Sequence, residues 1–308
     1  MADRHATVEP VASVVQRLSV LLAAGVAPAS SWSYLAEQPR GATGPLLQSV
    51  AAAVADGQPV ARAIIDGLPV TTPAHVPAWR GIAAAWTVAT TAGAPLAPTL
   101  RDFAASLRAL GQVQRDLRSA LAAPVATARM VMALPVVGVL FGLGLGFDTV
   151  GTLFATPAGL VCLGLGVGIM LIAWQWNRRL VAAAEPPTLT PGLIFDLMAI
   201  AVSGGASIER ARAVVESARA EFGLADASSP ELDDVLALSR RAGVPAAALL
   251  RSEADEARRA ARSDGERRAA VLSVTLMLPL GLCVLPAFML LGVAPLLISV
   301  ISSTVDGL

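Results

Sequence analysis

The chain has no lysine: all 23 of its basic residues are arginines. A phosphate-binding loop of the Gly-x-x-x-x-Gly-Lys type needs that lysine on the phosphates, so nucleotide hydrolysis by that route is excluded. Charge of either sign is scarce, at 15% of 308 residues, where ordinary soluble domains carry roughly 25%. Histidine is limited to His5 and His75 and cysteine to Cys162 and Cys283. The cysteines sit inside apolar runs, where they are expected to act as small hydrophobes, and they form neither a metal pattern nor a disulfide framework. The histidines are expected on loops with no second ligand beside them. No catalytic residue, metal ligand or cofactor-binding residue is therefore assigned, and the chain is not expected to be an enzyme.

What the chain does have is long apolar sequence. Residues 130–176 hold two apolar runs back to back, with Asp148 the only formal charge between Arg129 and Arg178. The linker Asp148-Thr149-Val150-Gly151 is too short for anything but a hairpin. A bilayer core roughly 30 Å thick takes about 20 apolar residues as a helix, and in lipid a helix satisfies its own backbone. A third run, 271–300, contains Pro279, Pro286 and Pro295. Cut at Pro286, each half is too short to span, so one tilted or kinked span is expected, since membrane helices tolerate proline. Arginines crowd one side of all three runs: Arg115, Arg118 and Arg129 before the first, Arg178 and Arg179 after the second, Arg258 to Arg268 before the third. Asp148 and Asp306 lie on the other side without an arginine. Arginine marks the cytoplasmic side, so the soluble parts should face the cytoplasm and the C-terminus should lie outside.

The rest reads as helices punctuated by Gly and Pro. Residues 1–10 are a polar tail expected to be disordered. Residues 17–30 imitate a signal peptide, but a parallel stretch at 196–207 favours a soluble amphipathic helix over 11–24 that ends at Gly25. Further helices are expected over 29–37, 44–56, 60–66, 77–92 and 96 to about 128, then 191–203, 208–222, 230–241 and from 245 into the third run. Ala-rich runs with Leu and Val at helical spacing, without period-two alternation, argue for helix throughout. The domains are then a first cytoplasmic helical domain (11–128), a transmembrane hairpin (130–176), a second, shorter helical domain (188–268) and a terminal span (270–302). The fold class is an all-α membrane protein: two cytoplasmic antiparallel helical-bundle repeats and three transmembrane helices.

A self-match underlies the word repeat. AGAPLAPTLRDFAASLRA (92–109) aligns without a gap on AGVPAAALLRSEADEARR (242–259), pairing Gly93 with Gly243, Pro95 with Pro245, Arg101 with Arg251 and Arg108 with Arg258. AAGVAPASS (23–31) pairs with VSGGASIER (202–210), and DGQPVAR (56–62) is a weaker variant. The phrase has the chemistry of a tight link between antiparallel helices: Gly takes the left-handed cap and Pro or Ser opens the next helix. The helix-link residues are thus Gly25, Pro28, Gly93, Pro95, Gly204, Gly243 and Pro245.

Gly-x-Pro links repeated in two cytoplasmic helical domains, split by a membrane hairpin and closed by a terminal span, resemble the type II secretion F family. These are inner-membrane platform proteins of secretion systems and type IV pili, with a TadB/TadC branch serving tight-adherence (Flp) pili. The resemblance implies a secretion or pilus ATPase, pilin subunits, the lipid bilayer and either a paralogous platform protein or further copies of the chain as partners, with no nucleic acid and no cofactor. The second domain departs from a symmetric version by lacking a counterpart to the helix pair at 44–66.

Other patterns weigh less. Gly144-Leu145-Gly146-Phe147-Asp148 looks like the Gly-x-Gly-Asp signature of membrane aspartyl proteases, but a Phe intervenes. Asp196 is expected on the opposite side of the membrane, so the two carboxylates could not share a proton. Gly138, Gly142 and Gly146 recur every four residues, as do Gly164 and Gly168, and are expected to let helices pack closely. The alternating charges of 253–268 fit a solvated helix with intrahelical ion pairs and inner-leaflet anchoring. A sharper reading makes Arg101, Arg108, Arg251 and Arg258 contacts to the ATPase. A small-molecule permease is the alternative function, and the near absence of ionisable residues in the spans counts against it.

Overall fold

The computed structural model describes residues 8–37, 41–144, 149–184, 191–224, 230–295 and 297–298, and every regular element among them is helical. The chain divides into two compact units, Met1–Arg115 with Pro187–Ser263, and Asp116–Pro186 with Asp264–Leu308.

The first unit opens with α1 (Glu9–Ala23) and α2 (Pro28–Glu37), followed by α3 (Gly44–Ala55), α4 (Val60–Asp66) and α5 (Val76–Ala92). It also takes the first part of α6 (Leu96–Gly144) and, after the apolar hairpin, α9 (Leu193–Ser203), α10 (Ile208–Phe222), α11 (Pro230–Ala242) and the first part of α12 (Ala246–Thr275). Each helix turns one apolar stripe inward. On α1 that stripe is Val11, Val14, Val15 and Leu18, all buried. Helix α2 packs on α3, α4 on α5, and α5 on both α9 and α10. The stretches 11–128 and 188–268 therefore contribute to one hydrophobic core. Trp32 is fully buried in it, with Trp79 and Trp86 tilted against it at 6.5 and 6.3 Å between ring centroids. Such tilted aromatic pairs add stabilisation beyond the area they bury. His75 is buried in this core region, in the short turn Pro73–His75, and not on an open loop.

Helix α9 is buried along most of its length. Its sequence, Leu-Ile-Phe-Asp-Leu-Met-Ala-Ile-Ala-Val-Ser, has Asp196 as its sole ionisable residue, and Leu193, Phe195, Leu197, Met198, Ala199, Ile200 and Ala201 are buried. A helix apolar on all sides is stable only inside a protein or a membrane. It begins two residues later than proline placement suggests: Pro191 lies in a turn, and Gly192, left-handed at φ 76°, caps the helix. A Cβ on Gly192 would lie 2.8 Å from the Ala254 carbonyl oxygen, so glycine there lets α9 begin against the backbone of α12.

The second unit contains the remainder of α6, α7 (Thr149–Ala155), α8 (Pro157–Ala184) and the end of α12 with its continuation. Helix α6 is one helix of 49 residues that passes Pro124 and Pro135 without a break. The second apolar run, expected as a single helix, is divided at Thr156 into α7 and α8. The third apolar run is helical through Pro295 but not regularly so. Two five-residue π turns, Leu280–Val284 and Met289–Val293, flank a short α segment, Leu285–Phe288. Proline removes the donor an α turn needs and crowds the carbonyl four residues back, and a π turn is one way for the chain to absorb this. Along α8, Gly166, Ala173 and Leu180 face this helix: Ala173 packs with Cys283 and Val284, Leu180 with Leu272 and Leu276. Arg178 lies over the Trp174 ring, 5.5 Å from its centroid.

Among the described residues, two helices are long and apolar enough to cross a membrane, Pro157–Leu180 and the 48-residue run Ala246–Val293. Residues 145–148, which include Gly146 and Asp148 at the end of the first expected span, lie outside the described residues.

Candidate functional site

The links between helices take the geometry their glycines permit. Gly25, Gly57, Gly93 and Gly243 have φ of 83°, 87°, 71° and 65°, and Pro28 is the first residue of α2. Pro95 and Pro245 stand immediately before α6 and α12 and accept the first backbone bonds of those helices, from Thr99 and from Ala248. At the fourth link the residue roles shift by one. Gly204 has φ −75°, and the left-handed residue is Gly205, at φ 84°. Gly204 is needed for a different reason: a Cβ there would lie 2.1 Å from the Ala92 carbonyl oxygen, so this link packs directly on the backbone of the α5–α6 link.

The four arginines matched along the sequence divide by partner. Arg108 Nη1 donates to Gln16 Oε1 on α1 at 3.1 Å. Arg258 Nη1 donates to Asp196 Oδ2 on α9 at 2.8 Å, with only 17% and 13% of the two side chains exposed. Arg258 Nη2 also donates to Asp255 at 2.5 Å. Arg251 pairs with Asp102 of α6 at 3.4 Å, in the open. Arg101 is exposed and makes no such contact among the described residues. Measured from the left-handed glycine that ends each helix, Gln16 of α1 and Asp196 of α9 hold the same place, nine residues before Gly25 and Gly205. The long helices α6 and α12 are thus each held at matching arginines, by an amide in one case and a carboxylate in the other.

Asp196 sits where α6, α9 and α12 meet. Ser106 of α6 donates to its Oδ2 at 3.4 Å. A small cavity with room for about one water lies beside it, lined also by Asp102, Thr99 and Arg251. Burial pushes the Asp196 carboxyl up to about 6, against the opposing pull of Arg258 and the Ser106 hydroxyl. For Arg258, burial acts to lower the guanidinium, but Asp196 and Asp255 outweigh it and hold Arg258 above its usual value. Removing two charges from water can cost as much as their attraction returns. The raised carboxyl shows that Asp196 is such a case. The arrangement fastens helices, and no cluster of three metal-ligating side chains occurs among the described residues.

In the second unit, Gly138 packs closely: a Cβ there would lie 2.9 Å from the Phe288 ring and 3.4 Å from the Gly292 Cα. Gly164 and Gly168 face open space instead, and the close contact on α8 is made by Gly166, where a Cβ would lie 2.5 Å from Leu291 Cγ. Gly142 lies within α6 and Gly146 outside the described residues.

The residues missed in the sequence are Asp196 as a tether, its counterpart Gln16, and the packing glycines Gly166 and Gly192; Gly204, expected as the turning residue of its link, packs on Ala92 instead. A signal for Asp196 was present: a single carboxylate in an otherwise apolar helix has to find a cation once buried.

Residues 14–144 match the family described as Type II secretion system (T2SS), protein F. This segment, which runs from within α1 to the end of α6, is similar to that family, and the match agrees over it with the resemblance drawn from the helix links. No curated protein and no solved structure matches the chain.

Proposed function

We propose that this chain is an inner-membrane platform protein of a type II secretion or type IV (Tad/Flp) pilus system, coupling a cytoplasmic hexameric ATPase to movement of pilin subunits between membrane and filament. The observation that carries the reading is the T2SSF match over 14–144, a stretch that forms a bundle of amphipathic helices and ends in an apolar helix. In this reading the chain is not an enzyme and the energy comes from the partner. The soluble unit faces the cytoplasm, where the ATPase is, and three spans leave the C-terminus outside. The two helical stretches are unequal copies of one module; the matching Arg108–Gln16 and Arg258–Asp196 contacts support that. Arg101, exposed and without an internal contact among the described residues, is the first candidate for touching the ATPase. A paralogous platform protein or further copies of the chain complete the assembly.

Affinity purification of the tagged chain from native membranes tests this. The expected outcome is recovery of the cell's secretion ATPase, weakened when Arg101 is replaced by Glu, together with loss of surface pili when the gene is deleted. Normal piliation and secretion in the deletion strain would overturn the reading.

A further inference from the structure

Asn177 is the single asparagine in a sequence of 308 residues. It stands in α8, inside the stretch Pro157–Leu180 that is long and apolar enough to cross a membrane. Only 8% of the residue is exposed, and its side-chain oxygen has no hydrogen-bond partner among the described residues. An amide oxygen withdrawn from water is costly to leave without a donor, and in a bilayer the surroundings supply none. Along α8 it shares a face with Ala173, four residues before it, and Leu180, three residues after it.

The contacts on either side of Asn177 fix what it meets. Leu180 packs with Leu272 and Leu276, and Ala173 with Cys283 and Val284. The third apolar run is therefore antiparallel to α8, and Asn177 comes level with Pro279. Pro279 is buried, and the short segment it ends, Met277–Pro279, packs on α8. Helix α12 stops at Thr275, with a turn at Leu276. Pro279 accounts for the stop, since it has no N–H to give the Thr275 carbonyl four residues back. The Thr275 hydroxyl donates to the Val271 carbonyl at 2.8 Å, a back-bond that also bends helices. From Leu276 to Val284 the one side-chain donor is the weak thiol of Cys283, which lies with Ala173. Two oxygens in need of a donor thus stand at one level of the seam, the Asn177 amide oxygen and the Thr275 carbonyl.

We propose that this seam binds a water molecule, which donates one hydrogen to the Asn177 amide oxygen and the other to the Thr275 carbonyl. Water fits both oxygens because it is small, neutral and carries two donors, and buried waters join polar groups that the chain leaves unmatched. Two oxygens are too few to replace the hydration of a metal cation. A carbonyl freed by proline in a membrane helix is answered by ordered water, by a π turn or by a polar group on a neighbouring helix; here the water and the neighbour act together. The bond through water is exchangeable, so the third run can bend at Leu276 while both oxygens keep a donor. Both sides of the site belong to the second unit, and the site does not depend on the platform reading.

Because the chain has one asparagine, isotope labelling of that residue type gives a single side-chain signal. In solid-state NMR of the full chain in lipid bilayers, polarisation should pass rapidly from water protons to the Asn177 amide carbon. Pro279→Ala, which returns a donor to the Thr275 carbonyl, should remove most of that transfer. Stability in mixed micelles gives a second readout. Asn177→Leu should lower the folding equilibrium constant about three- to tenfold in the unmodified chain and leave it nearly unchanged beside Pro279→Ala. No transfer from water, transfer that survives Pro279→Ala in full, or equal losses in the two backgrounds would overturn the proposal. Coupling between the two positions without transfer from water would overturn it as well, since the Asn177 amide would then donate to the carbonyl itself. The NMR measurements decide the matter even if Asn177→Leu fails to fold.

Discussion

A single carboxylate in α9 changes how the chain should respond to acid. Most folded carboxylates lie below their free value and make acid destabilising; Asp196 lies above it, pushed by burial to about 6 from 3.8. Its contribution to stability is fully present below 3.8 and is lost as pH rises through 6, because the unfolded chain binds the proton less tightly. The difference amounts to at most ~3 kcal/mol, and other carboxylates work against it at the acid end. The whole chain in detergent should therefore melt higher at pH 5 than at pH 7.5. Asp196→Asn, shaped like the neutral acid, should lose this gain and melt no higher at pH 5 than at pH 7.5. A melting temperature that falls between pH 7.5 and pH 5 in the unmodified chain, and falls by the same amount in the variant, would mean that Arg258 compensates the buried charge in full.

At the scale of elements, glycine separates two uses that look alike in sequence. Gly164 and Gly168 have the four-residue spacing associated with close helix packing, but each would admit a Cβ into open space. Gly166, between them, lies against Leu291. Gly166→Leu should lower the melting temperature in detergent, through overpacking that costs typically 1–3 kcal/mol, whereas Gly164→Leu should leave it nearly unchanged. Equal loss in both variants would show that the open face is covered in the protein as purified.

The contrast indicates what the sequence can disclose. Helix ends were legible, because a left-handed glycine and the proline after it act within one turn: α4, α10 and the links at Gly25, Gly93 and Gly243 fall where the punctuation puts them. Where two glycines are adjacent, at Gly204 and Gly205, the pattern could not say which one turns, since only tertiary packing on Ala92 assigns the other its role. The helix start at Leu193 was missed for a similar reason, because Gly192 answers to Ala254, 62 residues away. The face of α8 that packs depends on where Leu291 falls, and no spacing within α8 contains that information.

For the whole molecule, apolar length sets what can be inferred, and the count of membrane crossings sets where the ends lie. Two helices, Pro157–Leu180 and Ala246–Val293, are long and apolar enough among the described residues. The third expected crossing is the run 130–147, whose first part continues α6 without interruption. An odd number of crossings puts the two ends of the chain on opposite sides; an even number puts them together. The arginines flanking the runs are the pattern expected if the first unit faces the cytoplasm, and with three crossings Leu308 would then lie outside. A reporter active only after export, such as alkaline phosphatase, should be active when fused after Leu308 and inactive when fused after Leu224, between α10 and α11. Inactivity at both positions would leave an even number of crossings, and α6 would then end without traversing the bilayer. Activity at both would put the soluble unit outside, away from any cytoplasmic ATPase, and would remove the platform function along with the topology.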